Sequence, residues 1–346
     1  MTDENIILVT VDSLRADHCG FMGYEGGTTP TLDEMASEGI AFTNAIAPGP
    51  RTPESMPPTF TGCFLSEDLP SEKADQQSVI REHMSKRTTI AEQFSNAGYR
   101  TVGVTPNPFT SKYFGFDQGF DEFVDFIGED DSIYGRLFDA WIDGNTSSNV
   151  LRLARNMILR EEVFKPWEVY YSKVKETVRG EEPYFLWVFL MDVHEPYLAR
   201  KGYRSQGWLD RWRGIWSLYL GDRETEFDQA TRERLLTAYD DSIRYADVFL
   251  KRLLSDISDN TIVAVHGDHG EAFGEHGYYS HEPYLYEESI HVPLVIHGAG
   301  EGMVQRPTSL LDLPSILTSL SQTTEFNGTD VVEARTANRD TVALRA

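Results

Sequence analysis

Apolar residues in this chain come in short uninterrupted runs more often than in alternating ones. Ile6–Val11, Arg100–Thr105, Tyr184–Leu190, Thr261–Val265 and Val292–His297 are rich in β-prone side chains and bounded by polar or glycine-containing turns. Runs of this kind mark strands buried on both faces, as in a parallel sheet. Helical patterns separate them. Thr31–Ser37 starts after Pro30, and Arg87–Ala97 closes at Gly98. Phe227–Leu254 is the longest, with Leu235, Leu236, Tyr239, Ile243, Ala246 and Leu250 on one face. Ser309–Leu320 is the last helix, and Ile40–Ala47 reads as a returning strand. Strand, helix and strand in sequence predict βαβ units, hence an α/β protein. The first strand ends on Asp12, at the carboxyl edge where open α/β sheets place their ligand-binding residues.

The middle of the chain is less regular. Phe114–Ile127 is aromatic and acidic, and Ser147–Arg179 has a helical pattern of mixed charge. We expect one α/β domain over 1–322 with a helical insertion around 129–181, followed by a short tail over 323–346. No internal repeat or low-complexity tract interrupts it.

Charge changes the picture more than composition does. Fifty-five acidic residues against 31 basic ones leave a formal charge of −24. That excess argues against nucleic acid as a partner. The basic residues are mostly arginine, and acidic excess with few lysines suggests work in concentrated salt. Screening would shorten the reach of these charges from about 10 Å at 0.1 M to about 3 Å near 1 M. Cys19 and Cys63 are the only cysteines, too few for a disulfide framework or a thiolate metal site. Met-Thr-Asp-Glu lacks the basic start of a secretion signal, and no run approaches the roughly 20 apolar residues of a membrane span. The expectation is a cytoplasmic protein.

Two segments carry candidate chemistry. Six of the nine histidines lie between His266 and His297. There the strand Thr261–Val265 runs into His266-Gly267-Asp268-His269-Gly270, so that an acid and an imidazole sit side by side on a strand-end loop. Both could turn to one cation, and the glycines let the backbone bend around it. The alternative is a solvated polar loop. In the second segment, Arg51-Thr52-Pro53 leads into a short helix, whose N-terminus favours an anion. Thr52 could equally be a plain helix cap.

Three segments in order then resemble one family. Val11-Asp12-Ser13-Leu14-Arg15-Ala16-Asp17, the Thr52 segment ending in Thr61-Gly62, and Asp268-His269-Gly270 with Gly274-Glu275-His276-Gly277 resemble the sulfatase-like branch of the alkaline phosphatase superfamily. Met191–Tyr197, Tyr286–Leu294 and Leu311–Ser315 fit as supporting segments, and the resemblance spans roughly residues 5 to 320. It implies a doubly wound, mostly parallel α/β sheet flanked by helices, with a C-terminal subdomain that is reduced or missing here. It also implies one divalent metal held by Asp12, Thr52, Asp268 and His269, with Thr52 as nucleophile. Two carboxylates, an imidazole and a hydroxyl suit Mn²⁺, Mg²⁺, Ca²⁺ or Zn²⁺. His194, in a His-x-Pro loop, and His281 are the implied proton donors. Arg15, Asn107 and His194 are the implied substrate-binding groups.

The departures from the family pattern are informative. Threonine cannot be converted to formylglycine, and Glu54 and Met56 replace the proline and arginine of the sulfatase signature. Ser13 replaces the second aspartate of the usual pair, and Pro106 and Pro108 stand where a lysine and a histidine are expected. These losses favour a phosphodiester or phosphonate ester, by hydrolysis or phosphoryl transfer, from a small-molecule or envelope-derived anionic substrate. The alternatives are a sulfate-ester hydrolase working without formylglycine, and a non-catalytic binding protein that keeps the metal pocket.

Overall fold

Strand β1 (Asn5–Val11) is buried along its whole length. In the computed structural model, which describes residues 4–66, 68–70, 73–126, 165–220, 226–281 and 283–321, its side chains divide between two apolar layers. Ile7, Val9 and Val11 enter one, and Ile6 and Leu8 enter the other. A strand with a period of two can be apolar at every position only if both faces of its sheet are covered.

They are covered by helices on both sides. β1 pairs in parallel with β5 (Tyr184–Leu190) and β6 (Thr261–Gly267). Beyond β5, also in parallel, lie β3 (Arg100–Thr105) and then β4 (Glu122–Asp125). On the other side β9 (His291–His297) is antiparallel to β6 and to β2 (Ile40–Ile46). The short strands β10 (Gly302–Val304) and β11 (Thr308–Ser309) pair in parallel with β2. The order is β10-β2-β9-β6-β1-β5-β3-β4, with β9 alone running against the rest. One face packs against α1 (Pro30–Ser37), α5 (Trp167–Val178) and α7 (Gln229–Asp256). The other meets α2 (Thr52–Thr61), α3 (Lys73–Ser85), α4 (Ile90–Asn96) and α9 (Leu313–Leu320), and the single turn α8 (Glu287–Ile290) leads into β9. The sheet is therefore doubly wound and mostly parallel, as expected. The second layer is strongly aromatic, with Trp187 against Phe60 and Phe94 stacked on Phe185, each at 4.5 Å between ring centroids.

Local chemistry explains where the boundaries differ from the periodicity. α4 begins at Ile90, not Arg87, because Thr89 and Glu92 form a reciprocal capping box. α7 starts after Asp228, whose side chain accepts from Thr231 N at 2.7 Å. Leu310–Asp312 turns as a 3₁₀ segment before α9. The apolar pattern did not predict α3, whose sequence is mostly polar, or α6 (Trp208–Leu220), which mixes tryptophans with arginines. It also missed β4 and the small hairpin of β7 (Ala272–Phe273) and β8 (Tyr279–Ser280), since two- to four-residue strands carry little periodicity. Of the predicted helical insertion, 167–178 forms α5, and 127–164 lies outside the described residues, as does the tail beyond 321. Cys19 is buried and Cys63 exposed, and both are free thiols.

The helix that carries Thr52 is anchored from beneath. His83 on α3 is buried and bonds Thr61 Oγ1 at the end of α2 at 2.8 Å. Burial, helped by the nearby Arg87 charge, lowers its pKa to about 4. The unfolded chain then binds this proton at higher pH than the folded one, so the folded state is penalised as pH falls from about 6.5 towards 4. His83→Gln should therefore lose less of its thermal midpoint than wild type between pH 7 and pH 4.5; a parallel decline in both would refute the assignment.

Candidate metal and ester site

The register of the parallel strands assembles the site. Val11 of β1 lies opposite Gly267 of β6, so the next residues, Asp12 and Asp268, emerge side by side. Asp268 N bonds Val11 O at 3.3 Å, and Ser13 N returns to Asp268 Oδ1 at 3.0 Å. Asp12, Asp268 and His269 each direct a ligand atom to one point, with all three atoms within 4.8 Å of one another. His269 Nε2 is 3.7 Å from Asp12 Oδ1 and 3.5 Å from Asp268 Oδ2.

Thr52 closes the cluster. It is the first residue of α2 and 4% exposed, and its Oγ1 donates to Asp268 Oδ2 at 2.9 Å. The same oxygen lies 3.3 Å from His269 Nε2. Ser55, one turn on, donates to Asp268 O at 2.6 Å and ties the helix start to the β6 loop. Asn107, past the end of β3, donates through Nδ2 to Asp12 Oδ2 at 2.9 Å and reaches Thr52 Oγ1 at 3.5 Å. Its Oδ1 is committed to Phe109 N, which fixes the amide direction.

The electrostatics suit a cation. Burial, and then repulsion from Asp268, raises the Asp12 carboxyl above its ordinary range. Burial pushes Asp268 to about 7 in spite of hydrogen bonds from Thr52, Ser13 and His269. Burial lowers His269 to about 4, so its ring is neutral. Its Nδ1 bonds Gly270 O at 2.8 Å and must carry the hydrogen, leaving the Nε2 lone pair towards the acids. Two buried carboxyls with a neutral imidazole and a hydroxyl have the charge and donor types that a divalent ion requires. The residues present therefore fit the expected metal.

His194 and His281 stand beside this set. Their rings are 5.0 Å apart, and the His281 ring is 5.1 Å from that of His269. His194 Nδ1 bonds Glu195 O at 2.7 Å, which orients its other nitrogen. Burial opposes a charge on His194, but Asp12 and Glu195 outweigh it and raise its pKa. Arg15 is placed differently from the other expected residues. Its guanidinium is held by Asp17, Glu275 and the Glu271 carbonyl, which turns it to the loop rather than to the cluster.

Sequence reasoning missed a buried acid pair. Glu271 is fully buried, and Glu195 is 7% exposed. Burial and the Glu195 charge push Glu271 to about 8. Its Oε1 lies 3.3 Å from His281 Nδ1, and His194 and His269 also act on it electrostatically. Its only signal in the sequence is an acid immediately after Asp268-His269-Gly270. Backbone strain converges here as well. Among the described residues, the non-glycine positions with positive φ are Ser13 (57°), Tyr197 (56°) and Ser280 (73°). Each lies within three residues of Asp12, His194 or His281, and such strain collects at functional sites.

The family model described as Sulfatase matches residues 4–322, so the chain belongs to the sulfatase family. An arylsulfatase from Clostridium perfringens is 26% identical over 339 residues, covering 86% of this chain and 69% of the relative. The chain spans about 60% of the length of two further curated relatives. The phosphonate monoester hydrolase of Agrobacterium radiobacter superposes with a TM-score of 0.65 at 18% identity, over 92% of this chain and 74% of that one. The soluble domain of lipooligosaccharide phosphoethanolamine transferase A from Neisseria meningitidis gives 0.62 at 18%, over 95% and 91%. At these identities the superpositions show the fold. No described helix is long and apolar enough to cross a membrane.

The paired acids make a sharp stability prediction. Asp268→Asn removes the repulsion with Asp12, so metal-free variant should unfold no earlier than metal-free wild type. The wild-type disadvantage should grow as pH rises from about 4 to about 7, because the folded acids release their protons later than the unfolded ones. Wild type should gain about 2.7 kcal/mol from Mn²⁺ or Zn²⁺ at a hundredfold excess over its Kd, and the variant little. Thermal unfolding with chelator and with metal measures both; equal metal responses would refute the ligand set.

Proposed function

We propose that this chain is a metal-dependent hydrolase of phosphodiesters or phosphonate esters, with Thr52 as nucleophile. The observation that carries the reading is the Thr52 hydroxyl, buried at the start of α2, within hydrogen-bond reach of Asp268 and beside His269. A threonine there supports direct attack and rules out the formylglycine route. Asp12, Asp268, His269 and Thr52 would hold one divalent ion, with Mn²⁺ or Zn²⁺ favoured by the imidazole. When bound, such an ion lowers the pKa of a coordinated hydroxyl and offsets charge on phosphoryl oxygens.

The residues of the chain account for the rest. Thr52 Oγ1 transfers its proton towards Asp268 Oδ2 and forms a bond to phosphorus as the ester oxygen departs. The departing oxygen takes a proton from His194 or His281, the imidazoles beside the cluster. Water, or an acceptor alcohol in a transfer reaction, then attacks the phosphothreonine and gives up its proton to the same imidazole, while Thr52 Oγ1 leaves phosphorus and recovers its proton from Asp268. Asn107 Nδ2, 3.5 Å from Thr52 Oγ1, would donate to a non-bridging oxygen, and the positive end of the α2 dipole favours that charge. The envelope-derived or small-molecule nature of the ester, and work in concentrated salt, remain parts of this proposal.

The similarity to an arylsulfatase supports a second reading, sulfate-ester hydrolysis through the same threonine. Bis-(p-nitrophenyl) phosphate and p-nitrophenyl sulfate, each with Mn²⁺ or Zn²⁺ at low and high salt, separate the two. Phosphodiester turnover should exceed sulfate turnover, and the opposite order would reverse the assignment. Thr52→Ala should reduce kcat roughly a thousandfold or more, while Thr52→Ser retains measurable turnover. Activity in Thr52→Ala close to wild type would sink the nucleophile.

A further inference from the structure

The chain carries one stretch whose charge opposes that of the whole. Between Leu198 and Trp216, Arg200, Lys201, Arg204, Arg211 and Arg213 stand against the single acid Asp210, in a protein of net charge −24. The stretch follows the His194 loop and comprises a 3₁₀ turn (Lys201–Tyr203) and the start of α6. It is apolar as well as basic at its surface. Trp208 is 50% exposed and Leu209 61%, with Tyr203 at 38%. Isolated exposed apolar residues are ordinary, but Trp208 and Leu209 share the first turns of α6 with Arg211 and the exposed Arg213.

Beneath them lies an unsatisfied donor set. Arg211 is 4% exposed and Trp212 is 6% exposed. Among the described residues, Arg211 Nε, Arg211 Nη1 and Trp212 Nε1 are buried without an acceptor. The guanidinium carbon lies 5.7 Å from the Trp212 ring centroid, so these donors are neighbours. Trp212 is also 6.4 Å from the exposed Trp208 ring. Burial, and then the charge of Arg204, lower the Arg211 pKa to about 10, which leaves it cationic at neutral pH. The nearby Asp241 already accepts from Ser205 N and Arg244 Nη1, both at 2.9 Å. A buried guanidinium with idle N–H groups is costly unless something with negative charge and several acceptors meets it. An oxyanion is such a partner.

We propose that this surface docks the protein on an anionic phospholipid bilayer, with a lipid phosphate seated on Arg211 and Trp212 and with Trp208 and Leu209 entering the headgroup region. The oxyanion seat alone would suit a free phosphate. The exposed indole and leucine beside it select the lipid, because large apolar groups gain by entering an interface and gain nothing from a small hydrated ion. Lys201, exposed, adds attraction to anionic headgroups, roughly fivefold in partitioning, and the exposed Arg213 pairs with Asp210 at 3.5 Å. The rest of the chain is repelled by the same surface, so binding would be confined to this patch.

The test is co-sedimentation of the full chain with vesicles of phosphatidylcholine, alone or mixed equally with phosphatidylglycerol, at about 0.1 M salt. Wild type should partition at least about tenfold more onto the anionic vesicles, and the excess should fall at 1 M salt. Arg211→Met should lose most of that excess with an unchanged or higher thermal midpoint, since it removes a buried unpaired charge. Leu209→Asp changes a residue too exposed to matter for folding. It should also lose binding while keeping wild-type turnover of bis-(p-nitrophenyl) phosphate. Equal partitioning onto both vesicle types would overturn the proposal, as would wild-type binding by both variants. A midpoint raised by 10 mM inorganic phosphate in wild type and not in Arg211→Met, without vesicle binding, would leave a free-phosphate seat and overturn the lipid assignment.

Discussion

Everything at the candidate site depends on two carboxylates that the sheet forces together. β1 and β6 pair in parallel, and their register makes Asp12 and Asp268 the next residues at the same edge. Both are fully buried. Burial raises both above their usual range, and at Asp12 the neighbouring Asp268 charge adds to it. Such an arrangement is stable only with protons or a cation to balance it. The neutral His269, turned by its bond to Gly270 O, and the Thr52 hydroxyl supply the remaining donors.

The surrounding loops serve that constraint. Ser13 takes a left-handed conformation directly after Asp12 and sends its N–H to Asp268. Tyr239 on α7 donates to Ser13 O and accepts from Arg15 N, so the longest helix holds the turn in place. Arg15, pinned by Asp17 and Glu275, braces the loop after β6 instead of reaching for an anion. Glu195 and Glu271 form a second buried acidic layer near His194 and His281, and the Glu195 charge, with that of Asp12, holds the His194 pKa up. The site is thus a shell of strained backbone and buried charge around one small volume. Charge elsewhere is arranged differently: the net excess is negative, and the basic, tryptophan-bearing start of α6 stands apart from it.

Much of this architecture was legible from residue patterns. Continuous apolar runs announced the doubly covered parallel strands, because a strand buried on both faces has no polar side to display. Asp12, Thr52, Asp268 and His269 were legible because strand-end acids and a helix-start hydroxyl occupy recognisable local positions, and the sulfatase-family resemblance joined them. Asn107 and the two flanking histidines came from that resemblance, and the fold brings them to the same edge. The polar helix α3 and the Trp- and Arg-bearing α6 escaped, since their helical state follows from packing rather than from a clean apolar stripe.

What the sequence by itself determined is the set of strands, their carboxyl ends and the chemical identity of the residues there, because these follow from local periodicity and side-chain type. Only the tertiary structure decided the rest. It brought Glu271 and Glu195 into one buried layer, although they are 76 positions apart in the chain, and it turned Arg15 onto Asp17 and Glu275. It also left the Arg211 donors without acceptors. Burial and charge pairing are properties of which segments meet, and no residue carries that information alone.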